Sequence, residues 1–195
     1  MQCSTLALTF VFTLALGACR SSPVPSQPGA PSPVSVNELI TKAQTDIAKL
    51  GTDLHEVLIR PNHDAVVKAL KERSSGFVTN VQSYIEQMSK DLKVKGPEIG
   101  KMWDGFKMSL TKATEDISAQ IPVAKDQISK LESKFLEGMG AIVKQSELVM
   151  ETVRTDAEPI KQDISNLAKK AVEITVEATK ELKTQIEEKL SKHES

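Results

Sequence analysis

From Val36 onward, apolar residues recur every three or four positions, the spacing that gathers side chains on one face of an α-helix. The first stripe is Val36, Leu39, Ile40, Ala43, Ile47, Leu50, Leu54, Val57 and Leu58. It opens on Ser35-Val36-Asn37-Glu38, the spacing of a capping box in which hydroxyl and carboxylate satisfy free amides at a helix start. Arg60-Pro61-Asn62 ends it, because proline lacks the donor that a helix interior needs. A second helix is expected from about Asp64 to Lys93, with Val66, Val67, Leu70, Phe77, Val81, Ile85, Met88 and Leu92 on one side. Gly96-Pro97-Glu98 separates it from a third, whose stripe is Ile99, Met102, Trp103, Phe106, Leu110, Ala113 and Ile117. Behind Pro122 come Ala124, Ile128, Leu131, Phe135, Met139, Ile142, Val149 and Val153, with Gly138 and Gly140 marking a place where this fourth helix could bend. Glu158-Pro159 opens the last, striped by Ile160, Ile164, Leu167, Ala171, Ile174, Ala178, Leu182, Ile186 and Leu190.

Five helices of about 24 to 34 residues would each be roughly 36 to 51 Å long, joined by connectors of only a few residues. Short connectors make successive helices antiparallel, so the expected fold is all-α, an elongated up-and-down bundle over residues 36–192. No segment alternates with the period of a strand.

The residues before this bundle read differently. The first nineteen, MQCSTLALTFVFTLALGAC, carry no charge and hold an apolar run of roughly fifteen residues, shorter than a membrane span of about 20, ending in Gly17 and Ala18. A signal peptide over 1–19 is expected, and with it export. Residues 20–35 hold five of the nine prolines and read as a flexible Pro/Ser-rich leader. Leu16-Gly17-Ala18-Cys19 also resembles a bacterial lipobox, although the lysine or arginine usual near the start of a bacterial signal is missing. That leaves a second reading open, a bacterial surface lipoprotein whose helices form a structural or interaction module. A helical stress protein, largely unfolded when hydrated, is a third.

Composition removes several classes of chemistry. The chain has 195 residues and a net charge of −1, from 25 basic and 26 acidic side chains, so no strong field gathers polyanions and nucleic acid is not an expected partner. Both cysteines, Cys3 and Cys19, precede the bundle, which therefore has no thiol for a disulfide, a metal or nucleophilic attack. His55, His63 and His193 are scattered without metal-ligand spacing, Gly138-Met139-Gly140 lacks the strand and lysine of a phosphate loop, and the carboxylates spread around polar faces. No enzyme activity, metal or cofactor is expected. None of Asn37, Asn62, Asn80 or Asn166 begins a glycosylation triplet.

What remains is the apolar stripes themselves. Their simplest role is to pack a core, but polar members such as Ser74, Ser146, Thr175 and Gln185, with only five aromatic residues in the bundle, predict loose packing. Opening such a bundle into water exposes every stripe, whereas against lipid the side chains stay out of water and each helix keeps its own hydrogen bonds. The proline-marked junctions would serve as hinges. The residues expected to meet lipid are Leu39, Ile40, Ile47, Leu50 and Leu54 of the first stripe, and Leu70, Phe77, Val81, Ile85 and Met88 of the second. Trp103, Phe106, Leu110, Ile128, Leu131 and Phe135 follow, and Ile164, Leu167, Leu182 and Ile186 complete the set. Lys170 and Glu181 both flank the last stripe, so no uniformly basic border frames it.

Asn62-His-Asp-Ala-Val-Val-Lys-Ala-Leu-Lys71 followed by Phe77-Val-Thr-Asn-Val-Gln82, with Pro159-Ile-Lys-Gln162, Ala168-Lys-Lys170 and Glu181-Leu-Lys183 near the end, resembles the insect apolipophorin III group of exchangeable apolipoproteins. The likeness spans residues 36–192 in length and helix order, while the Pro-rich leader and the Leu16–Cys19 segment depart from the group's usual pattern. The resemblance implies a secreted haemolymph protein, monomeric when lipid-free, that covers lipoprotein particles by opening its bundle. It also implies a role in innate immunity through microbial lipopolysaccharide or glucan.

Overall fold

The computed structural model describes residues 35–60, 63–92, 97–152 and 158–191. The expected signal peptide and nearly all of the leader, with Cys3 and Cys19, lie outside the described residues, as does His193. The described residues form five α-helices: α1 (Val36–Leu58), α2 (Asp64–Asp91), α3 (Pro97–Gln120), α4 (Ile128–Thr152) and α5 (Glu158–Ser191). Among the described residues there is no strand.

The local signals act as their chemistry requires. Ser35 Oγ accepts from the Glu38 amide at 3.2 Å while Glu38 Oε2 accepts from the Ser35 amide at 2.9 Å, so both halves of the capping box are made. At the start of α2 the His63 ring donates from Nδ1 to the Arg60 carbonyl at 2.9 Å. One boundary moves: α4 begins at Ile128, not directly behind Pro122, because residues 121–126 make turns closed by Asp126 N and Gln127 N on the Val123 carbonyl. Ala124, expected on the α4 stripe, is still fully buried from within that turn.

Side-chain pairs fix the directions. Tyr84 meets Leu167 and Arg73 meets Glu181, so α2 and α5 run oppositely. Gln44 bonds Glu147 and Gly51 lies on Leu136, which sets α1 against α4. Trp103 reaches back to Ser89, placing α3 antiparallel to α2. The up-and-down bundle follows.

Its packing order is less regular than its chain order. Helices α2, α3, α4 and α5 close a ring, each touching the next, with α5 returning to α2. Helix α1 lies against α4 and α5 and meets its own successor α2 at few points. The bundle's five aromatic side chains all sit in the ring, on α2, α3 and α4. Phe77 and Phe135 pack edge to face with centroids 5.5 Å apart, and Tyr84 meets Trp103 in the same manner at 6.1 Å. Phe106 tilts against Trp103 at 6.1 Å. Such pairs add about 0.5–1.5 kcal/mol each beyond burial, and here Phe77–Phe135 ties α2 to α4 and Tyr84–Trp103 ties α2 to α3, while Trp103–Phe106 lies within α3.

Candidate lipid-contact face

A helix that must shelter an apolar stripe from water turns it inward, and all five do. Of the twenty residues expected to meet lipid, sixteen are buried, among them Leu54, Leu70, Phe106, Leu110, Leu131, Phe135 and Leu182, each with at most 1% of its surface exposed. The other four, Leu39, Ile47, Met88 and Ile128, are half-buried at the seams and pack on the same cores. The structure therefore brings the whole set together, as an interior and not as an outer patch. Val153, Ile160 and Leu190 from the stripes lie outside the described residues or side chains.

Two separate apolar clusters make up this interior. The larger runs through all five helices and holds every aromatic ring among the described residues. The smaller consists of Ile40, Ala43, Val143 and Val172, where the N-terminal half of α1 rests on α4 and α5, with Val36, Leu39, Ile47, Met150 and Val176 at its margin.

Polar groups inside the bundle are mostly satisfied at short range. Ser146 Oγ donates to the Ile142 carbonyl at 2.9 Å and Thr175 Oγ1 to the Ala171 carbonyl at 3.1 Å, so neither needs a partner on another helix. Thr114 and Thr179, not singled out by the stripes, bond back in the same way to Thr111 and Thr175. The Tyr84 hydroxyl donates to the Leu167 carbonyl at 2.7 Å, and burial pushes its pKa well above the ordinary phenol value. Trp103 is 5% exposed and its Nε1 donates to Ser89 Oγ at 3.2 Å. The α2/α5 seam is the exception: an Arg73–Glu181 ion pair crosses it, while Ser74 Oγ and Gln185 Oε1 are buried without a hydrogen-bond partner within the protein.

The two glycines of α4 differ. Helix α4 continues without interruption through Gly138 and Gly140. Gly138 is buried, and a Cβ there would lie 2.7 Å from Ile117 Cδ1, so its bare backbone lets α3 approach α4. Close packing, not a loose core, explains it.

Glu132 was invisible to the stripe pattern and is 9% exposed on α4. Burial raises its carboxyl pKa above the ordinary value, and the charge of His55 on α1 pulls it partly back. A folded pKa above the unfolded one means that this group's contribution is fully present below the unfolded pKa and is lost as pH rises through the folded one. Glu132→Gln should therefore stabilise the protein at pH 7 and lose that advantage near pH 4. Urea midpoints at the two pH values test this, and equal effects at both would refute it.

Outside the interior, Ile59 is 71% and Met108 71% exposed, with Val123 and Leu148 less so. Ile59 ends α1 and Val123 sits in the turn before α4, which the alternating helix directions place at the same end of the bundle. Sequence reasoning passed over both because they fall off the stripes; an apolar residue beside Arg60-Pro61 or Pro122 was the available signal. Among the described residues no helix is long and apolar enough to cross a membrane, and no three His, Cys, Asp or Glu side chains gather as a metal site.

A family model described as "Apolipophorin-III precursor (apoLp-III)" matches residues 36–189, from the first residue of α1 nearly to the end of α5. No curated protein and no solved structure matches the chain.

Proposed function

The chain belongs to the apolipophorin-III family, and from that premise we propose that it is an exchangeable apolipoprotein that opens its bundle to cover lipoprotein or other lipid surfaces. The family binds lipid and is not a family of enzymes. One observation carries the finer reading: the stripe residues of all five helices form the interior, so the protein's large apolar surface becomes available only when helices separate. Parting the helices in water would cost the burial term of every side chain, roughly 1.5–3 kcal/mol for each large one, whereas a lipid surface replaces those contacts with acyl chains. Each helix keeps its backbone hydrogen bonds in both states. Ile59 and Val123, already exposed at one end, offer lipid a first apolar foothold without any opening.

In this reading the protein is exported through the signal over residues 1–19, acts in haemolymph as a lipid-free monomer between transfers, and carries lipid between particles. Binding of microbial lipopolysaccharide or glucan in innate immunity would use the same released faces. Mass spectrometry of the secreted chain tests the processing: a first residue near Arg20 supports release, and an acylated Cys19 would favour a tethered lipoprotein.

The lipid reading is tested with phosphatidylcholine vesicles. The protein should clear a turbid suspension while helical circular dichroism persists and the near-ultraviolet signal of Trp103 collapses, since its edge contact with Tyr84 is lost on opening. Unchanged turbidity and an unchanged near-ultraviolet spectrum would refute the proposal.

A further inference from the structure

Resting on that lipid-binding reading, we infer that α1 is the first helix to leave, and that in this first step a lipid surface takes both its stripe and the α4/α5 face beneath it while α2–α5 are still a closed four-helix ring, which parts only afterwards. The packing order supplies the reason. Helices α2 to α5 each have two ring neighbours, and removing α1 breaks none of those seams. Removing any other helix opens the ring.

The contacts that hold α1 also differ in kind. It carries no aromatic residue, and no ring pair reaches it. Its N-terminal half rests on the small cluster around Ile40, Ala43, Val143 and Val172, apart from the main core. An exposed Gln44–Glu147 bond of 3.4 Å joins it to α4. By contrast, the ring seam between α2 and α5 has the Arg73–Glu181 ion pair and the Tyr84–Leu167 bond. The helix stays intact when it leaves, because its capping box lies within α1 and Ser35. At Gly51 the Leu136 side chain of α4 lies against the α1 backbone, so that a Cβ would stand 3.2 Å from Leu136 Cδ1, and the fit of α1 on α4 depends on a residue that a single change can enlarge.

The test uses two tethers in the full chain, with Cys3→Ser and Cys19→Ser so that each introduced pair is unique. Gln44→Cys with Glu147→Cys, joined by a short bismaleimide, fastens α1 to α4; Arg73→Cys with Glu181→Cys, joined likewise, fastens α2 to α5 inside the ring. The initial rate of binding to phosphatidylcholine vesicles, read by co-flotation, should fall about tenfold or more with the first tether and stay within about twofold with the second, which bars only the later parting of the ring. Gly51→Leu, which pushes α1 outward while improving its helix propensity, should raise that rate about threefold with helical content unchanged. An equal block by the α2/α5 tether, or none by the α1/α4 tether, overturns the order of opening and leaves lipid binding standing. Failure of the untethered cysteine variants to clear vesicles overturns the lipid reading itself, and this inference with it.

Discussion

Phe135→Ala is expected to destabilise the bundle by about 3–5 kcal/mol, the cost of emptying a large aromatic site whose surroundings cannot fully collapse. Phe135 is fully buried on α4, packs edge-on against Phe77 of α2 at 5.5 Å, and so joins two helices that otherwise touch little. Domains of this size have stabilities of about 5–15 kcal/mol, so the variant should fold at low temperature and unfold well below the natural protein in urea. The same substitution should speed vesicle clearance, because the lipid-bound state never had the Phe77–Phe135 contact to lose. A variant that loses stability but clears vesicles more slowly would mean that the interior residues are not the lipid-contact set.

Gly138→Val should cost about 1–3 kcal/mol by overpacking. The added Cβ alone would stand 2.7 Å from Ile117 Cδ1 and 3.3 Å from Ile117 Cγ1, with the Ala113 carbonyl 3.6 Å away, so α3 must move or Ile117 must change rotamer. A helix-favouring effect of replacing glycine opposes this, at under about 1 kcal/mol. If the clash is the cause, Ile117→Ala in the same chain should restore much of the loss, and a double-mutant cycle should give coupling of about 1 kcal/mol or more. Additive effects would place the role of Gly138 in the backbone of α4 and not in the α3/α4 seam.

The helices, their inward faces and most of their ends were legible along the chain, for reasons that particular residues show. Ser35 and Glu38 lie three apart and cap each other without help from the rest of the molecule. The Leu50, Leu54 and Val57 stripe is buried because water excludes it wherever the helix packs. The Pro122 boundary was found but its consequence was not: a proline ends a helix locally, while the start of α4 at Ile128 depends on how Val123 and Ala124 settle into a turn. Polar residues in the stripes misled in part. Ser146 and Thr175 suggested a loose core, yet each bonds the carbonyl four residues back, and only Ser74 and Gln185 were left to justify the concern.

By itself, the sequence determined an all-α bundle of five amphipathic helices with no cysteine inside it, because helical period, caps and breakers act within a few residues of one another. Only the tertiary structure decided which stripe meets which. It set α1 outside a ring of the other four, put Glu132 beside His55, drew Ile117 over Gly138 and divided the interior into two clusters. Five stripes of similar width and hydrophobicity are nearly interchangeable as local signals. Their partners are chosen by the shapes of side chains far apart in the chain, a choice that becomes visible only when the helices pack.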